Sequence, residues 1–185
     1  LYRGVRDAEL LRTERVFIAE GRLVVRRLLE SPHFRARSLL VTPAARAGLA
    51  DLLEWSDGIE IYEAELPFFR ELTGFNVHRG CLAIGERRGP APSWQDVVQP
   101  ARTVVVLERV GNPDNVGGVF RAAAALGADA VLLSPGCADP LYRKSIRTSM
   151  AAALTLPFAV IERWPAGLSE LRSLGFSIIA LTPSG

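Results

Sequence analysis

Apolar positions along the chain come in short runs, and their spacing alternates between strand-like and helix-like. Leu23, Val24, Leu28 and Leu29 share one face of a helix predicted over 21–29. Short apolar runs predict strands at 16–19, 38–41, 59–62 and 81–84, with further helices over 43–54 and 65–72. Pro43 is compatible with opening a helix, because the first turn has no use for the N–H that proline lacks. Beyond residue 102 the alternation is more regular. Strands are predicted at 103–107, 130–133, 156–161 and 177–181, and helices at 119–126, 144–154 and 166–174. Val104-Val105-Val106-Leu107 is apolar at every position, which suits a parallel sheet covered on both faces. Right-handed crossovers are then the default.

Between the two alternations, residues 85–100 hold three prolines and two glycines, which disfavour a continuous element. The reading is an α/β unit over 1–86, a linker over 87–101 with a short helical turn at 93–98, and a second α/β unit over 102–185.

Composition changes this picture little. Of the 185 residues, 49% are hydrophobic and 23% charged, enough apolar surface for a sizeable core. No apolar run reaches membrane-spanning length. Net charge is +2, yet Lys144 is the only lysine among 22 basic residues. Arginine is suited to phosphate, although a GC-rich genome produces the same bias. Cys81 and Cys137 lack metal-ligand spacing, which favours a reduced, cytoplasmic setting.

Candidate chemistry concentrates after the strand at 103–107. There Glu108-Arg109-Val110-Gly111-Asn112-Pro113-Asp114-Asn115-Val116-Gly117-Gly118 reads as a polar, glycine-containing loop leading into a helix. Such a loop lies at the ligand-facing end of a parallel sheet. It displays Asn115 and, six positions on, Arg121, while Glu108 is placed to orient Arg121 or a loop amide. Gly117 and Gly118 weaken a helix, so they imply a close backbone or ligand approach. The alternative is a plain turn that caps the helix. Neither a Walker loop nor the dinucleotide fingerprint is present. A second group, Arg143, Lys144 and Arg147, follows the next strand and either converges with Arg121 on one rim suited to a phosphodiester or is a solvated helix start. These cations oppose the helix dipole, so stability alone is a poor reason for them. His33 and His78 carry no triad or zinc pattern.

Asn112-Pro113-Asp114-Asn115-Val116-Gly117-Gly118-Val119-Phe120-Arg121 resembles the first motif of the SpoU family of the SPOUT superfamily, RNA ribose 2′-O-methyltransferases that use S-adenosylmethionine. Ala138-Asp139-Pro140, Arg143-Lys144 and Ile146-Arg147-Thr148-Ser149 are similar to the stretch that follows it. Phe17-Ile18-Ala19-Glu20-Gly21 and His78-Arg79-Gly80-Cys81-Leu82-Ala83 resemble the family's N-terminal domain, which is related to ribosomal-protein-like RNA-binding folds.

The resemblance implies that Asn115 and Arg121 are catalytic and that Arg143, Lys144 and Arg147 contact RNA, ribosomal RNA in preference to transfer RNA. It implies S-adenosyl-L-methionine as cofactor, with Leu181 and Thr182 at one wall of its pocket, no metal, and a homodimer. The family's Gly-x-Glu-Gly and Ser-Leu-Asn-Val segments, which build its C-terminal knot, do not occur here. The expectation is therefore a shortened chain with little cofactor affinity and a weakened dimer. Two rival readings are a non-catalytic RNA-binding protein with a vestigial methyltransferase unit and a small-molecule nucleotide-binding protein.

Overall fold

The computed structural model describes residues 2, 7–54, 58–73, 77 and 80–181. A short helix α1 (Asp7–Glu9) continues as a π-helical turn, Leu10–Glu14. There follow β1 (Val16–Glu20), α2 (Arg22–Leu29), β2 (Phe34–Val41), α3 (Pro43–Ala47), α4 (Ala50–Leu53), β3 (Glu60–Glu63), α5 (Leu66–Thr73) and β4 (Cys81–Arg87). These strands form one sheet in the order β1-β4-β2-β3. β4 runs antiparallel to β1 and β2, while β2 and β3 are parallel. β2 and β4 are longer than the apolar runs at 38–41 and 81–84. Their polar ends still pair, with Arg35 opposite Glu86 and an Arg35–Glu86 ion pair of 2.7 Å.

Helix α6 (Trp94–Val98) sits inside the stretch read as a linker. Ser93 Oγ accepts the Asp96 N–H at its start. Trp94, Val97 and Val98 are buried against β6, β7 and α9 of the second sheet unit. That unit runs β5 (Val104–Leu107), α7 (Pro113–Ala125), β6 (Ala130–Leu133), α8 (Arg143–Thr148), a 3-10 turn at Ala152–Leu154, β7 (Phe158–Val160) and α9 (Ala166–Ser173). Its three strands are parallel in the order β5-β6-β7. The whole is an α/β protein with a parallel sheet in its second half, as the pattern predicts.

Four predicted elements differ. The helix over 43–54 is two helices parted at Gly48 and Leu49. The helix over 144–154 stops at Thr148, because Met150 and Ala151 take left-handed conformations (φ 52° and 69°). The helix expected from 119 begins at Pro113. Asn112 Oδ1 accepts the Asp114 N–H at 2.8 Å, and proline's fixed φ suits the first helical position. The turn-forming residues are thus the cap and first turn of α7. The strand over 177–181 joins no ladder among the described residues. Phe176 and Ile178 reach the core beneath α9, whereas Ile179 and Leu181 are 83% and 96% exposed. Within 177–181, Ile178 is the side chain packed on that core.

Strand alternation explains where the core lies. Val16 and Ile18 of β1 face a core with Leu40, Phe69, Leu82 and Ile84. Phe17 and Ala19 face the opposite way, into a core that also contains Leu107, Val116, Phe120, Leu133, Ile146 and Phe158 of the second unit. The two sheets therefore share one continuous apolar seam. Arg87 lies in it, with its guanidinium 4.9 Å from the Phe34 ring centre and 4.8 Å from that of Phe158.

Candidate active site at the carboxyl end of the parallel sheet

Three loops leave the carboxyl ends of β5, β6 and β7, and they are tied to one another. Arg109, left-handed at φ 51°, donates its N–H to Ser134 Oγ at 2.8 Å. The Val110 N–H donates to Cys137 Sγ at 3.3 Å, and the Cys137 thiol donates to the Leu107 carbonyl at 3.3 Å. Glu108 accepts the Trp164 indole N–H at 3.0 Å. Glu108 thus binds the loop after β7 rather than orienting Arg121. These contacts hold the approach to α7 in one conformation through its neighbours.

On α7, Val116, Gly117, Phe120 and Ala123 turn inward, and Asn115 and Arg121 are exposed. The two glycines separate in role. A Cβ on Gly117 would lie 2.5 Å from the Ser145 carbonyl oxygen and against Thr148 Oγ1, so α8 packs directly on the α7 backbone there. A Cβ on Gly118 would meet nothing within 4 Å. Asn115, Gly118 and Arg121 succeed one another at intervals of three, so bare backbone separates two polar side chains. Among the described residues Arg121 forms no ion pair.

The second basic group is brought together, but on protein partners. Arg143 Nη1 lies 3.1 Å and Arg147 Nη1 4.0 Å from Glu20 Oε2, and Lys144 Nζ lies 2.8 Å from Asp114 Oδ2. The Asp7 carboxylate accepts the Arg143 N–H at 3.1 Å. Three carboxylates from β1, α1 and α7 thus offset the cations at the start of α8, which would otherwise oppose its dipole. Burial pushes the Asp7 carboxyl up from its ordinary pKa, against the pull of Arg143. Burial likewise raises Asp139, against the Leu141 N–H at 2.8 Å and the charge of Arg87. Arg121 stands on α7 and the other three cations on α8, and Lys144 reaches back to α7 through Asp114.

Of the proposed cofactor wall, Leu181 is 96% exposed and Thr182 lies outside the described residues, as does His78. Among the described residues no group of three or more histidine, cysteine, aspartate or glutamate side chains is placed to hold a metal ion. The pattern reading gave no site role to Glu20 and Asp7, and took Asp114 only as a turn former. Glu20 carried a signal: it is the one charged residue ending an otherwise apolar five-residue strand.

A parallel sheet with its polar loops gathered at the carboxyl end is the usual binding geometry of α/β proteins. The SpoU methyltransferase AviRb from Streptomyces viridochromogenes superposes with a TM-score of 0.70 at 20% identity, covering 92% of this chain and 62% of that one. The AdoMet-bound rRNA methyltransferase from Sinorhizobium meliloti does so with a TM-score of 0.69 at 21% identity, covering 90% and 61%.

Residues 102–185 match the SpoU rRNA Methylase family, which places the second half of the chain in that family. It is 45% identical over 168 residues to an uncharacterized tRNA/rRNA methyltransferase of Mycobacterium tuberculosis (strain H37Rv), covering 91% of this chain and 57% of that protein. The 23S rRNA (guanosine(2553)-2′-O)-methyltransferase RlmP of Bacillus subtilis is 27% identical over 180 residues, with 94% and 68% covered. The chain therefore spans little more than half the length of the mycobacterial relative.

Proposed function

We propose that the protein methylates a ribose 2′-hydroxyl in structured RNA, with ribosomal RNA as substrate and S-adenosyl-L-methionine as the methyl donor. The observation that carries this reading is the exposed pair Asn115 and Arg121, flanking bare Gly118 on α7 within the segment matched by the family. Support for the donor comes from the AdoMet-bound relative.

A ribose hydroxyl is a weak nucleophile, and methylation needs it held in line and its developing negative charge stabilised. Asn115 offers an amide that both donates and accepts, fit to orient the hydroxyl. A guanidinium is almost never neutral in a protein, so the part of Arg121 is to bind the adjacent phosphate and stabilise the alkoxide, not to remove the proton. The native protein is a homodimer in this reading. It rests on the family resemblance, which implies a homodimer. Sedimentation that returns a monomer at all concentrations refutes the dimer.

The test of the activity is incubation of the full-length protein with methyl-labelled S-adenosylmethionine and either ribosomal or transfer RNA, followed by nucleoside analysis. Label in a ribose of ribosomal RNA is expected, with Arg121→Ala losing at least about a hundredfold in rate, typical for a group acting on transition-state charge. Label confined to bases or to transfer RNA overturns the substrate assignment. RNA binding without any methyl transfer replaces it with the non-catalytic reading.

A further inference from the structure

Glu20 is the last residue of β1, and its side chain is 1% exposed. A buried carboxylate is costly unless charged groups meet it. Here they come from the other half of the molecule: Arg143 at 3.1 Å and Arg147 at 4.0 Å, four residues apart on one face of α8. Like charges at that spacing repel, and a carboxylate beneath both offsets the repulsion and sets the direction of the two guanidiniums. Neither arginine is engulfed, since Arg147 keeps 51% and Arg143 27% of its side-chain surface open. The pair also lies beside the proposed active site. Lys144, between them in sequence, bonds to Asp114, the residue preceding Asn115.

We propose that Glu20 is a positioning residue that holds Arg143 and Arg147 as a paired receptor for one RNA backbone phosphate near the methylated nucleotide. This rests on the reading of the protein as an RNA methyltransferase. A guanidinium fixed in direction meets a phosphodiester with two parallel N–H donors, whereas one left to wander loses that geometry. Phosphate contacts set register rather than sequence, so the device locates the RNA backbone relative to Asn115 and Arg121. It also ties that register to the docking of the first sheet against α8.

The discriminating feature is the sign of the effect. Removing a negative charge beside a polyanion strengthens binding on electrostatics alone, whereas loss of a positioning group weakens it. The experiment measures binding of the full-length protein to poly(uridylic acid) over a range of salt concentrations, for the native residue, Glu20→Gln, Glu20→Asp and the Arg143→Ala/Arg147→Ala double variant. Thermal melts confirm folding. Glu20→Gln is expected to weaken binding roughly tenfold, the size of one charged hydrogen bond, and to flatten the log–log salt slope by about one. In the double-alanine background it is expected to have no further effect. Unchanged or tighter binding by folded Glu20→Gln overturns the proposal, as does an undiminished effect in that background. Should Glu20→Gln not fold, Glu20→Asp, which keeps the charge and shifts it by one methylene, is read against the same two criteria. If the double variant binds like the native protein, the assignment of these arginines to RNA fails, a result distinct from failure of Glu20 alone.

Discussion

At the scale of single residues, adjacent glycines on α7 have opposite physics. A methyl at position 117 runs into the Ser145 carbonyl and the Thr148 hydroxyl of α8, and backbone cannot step aside as a flexible side chain can. Gly117→Ala is expected to destabilise by about 1–3 kcal/mol, the usual cost of overpacking. At 118 the space is open and the position is inside a helix, so Gly118→Ala is expected to stabilise by about 0.5–1 kcal/mol. Chemical denaturation of both variants checks the pair. If bare backbone at 118 is where the RNA lies, the same Gly118→Ala lowers methylation while raising stability. Sequence alone made both glycines conspicuous, and Asn115 and Arg121 were legible from their place after an apolar strand. Which glycine served packing was not legible, because the answer depends on how closely α8 crosses. Glu20 showed only as a charge ending an apolar strand, and what it does there was not legible, because Arg143 and Arg147 lie 123 and 127 positions away.

At the scale of elements, periodicity located nearly every strand and helix, and it failed at their ends. The start of α7 was read as a loop because Asn112, Pro113 and Asp114 are turn formers, and those same properties make a cap and first turn. Asn112→Ala is expected to cost about 1 kcal/mol through loss of that cap. The far end of α8 poses the reverse problem. Alanine-rich sequence predicts a continuing helix, yet Met150 and Ala151 are both left-handed. A side chain in that region costs about 1–2 kcal/mol, and glycine does not carry it. Met150 is 57% exposed, so little packing is lost with it. Met150→Gly is expected to raise the unfolding midpoint, by about 0.5–1 kcal/mol once glycine's greater unfolded-state freedom is set against the relieved strain. Ala151→Gly is expected to gain less, since Ala151 is fully buried.

At the scale of the whole molecule, carboxyls with opposite shifts shape the response to pH. Asp129 accepts the N–H groups of Thr103 and Arg102, both at 2.8 Å, which hold its carboxyl below the ordinary value. Its contribution is present above the unfolded pKa and is lost as pH falls through the folded one. Asp139 is raised by burial. Between the ordinary and raised values the folded protein keeps a proton that the unfolded chain releases, so its contribution declines as pH rises through that window. Asp139→Asn removes that decline. The stability of the variant relative to the native protein is expected to climb with pH across the window and then level off, as read from denaturation at a series of pH values. A relative stability independent of pH would show that Asp139 does not titrate in this way.

The shared seam has a further consequence for what holds the two halves together. Phe34 of β2 and Phe158 of β7 both lie against the Arg87 guanidinium, Ser31 Oγ donates to the Leu154 carbonyl at 3.3 Å, and the connecting residues 88–93 are exposed. Those residues are a tether, not a hinge, because the halves are held by contact rather than by continuity of the chain. A nick after Arg88 is therefore expected to leave two fragments that co-elute on gel filtration at native mass. They should separate only in denaturant and reassociate when it is removed. Supplied as two polypeptides, the halves should find each other and rebuild the junction at Glu20, Arg143 and Arg147.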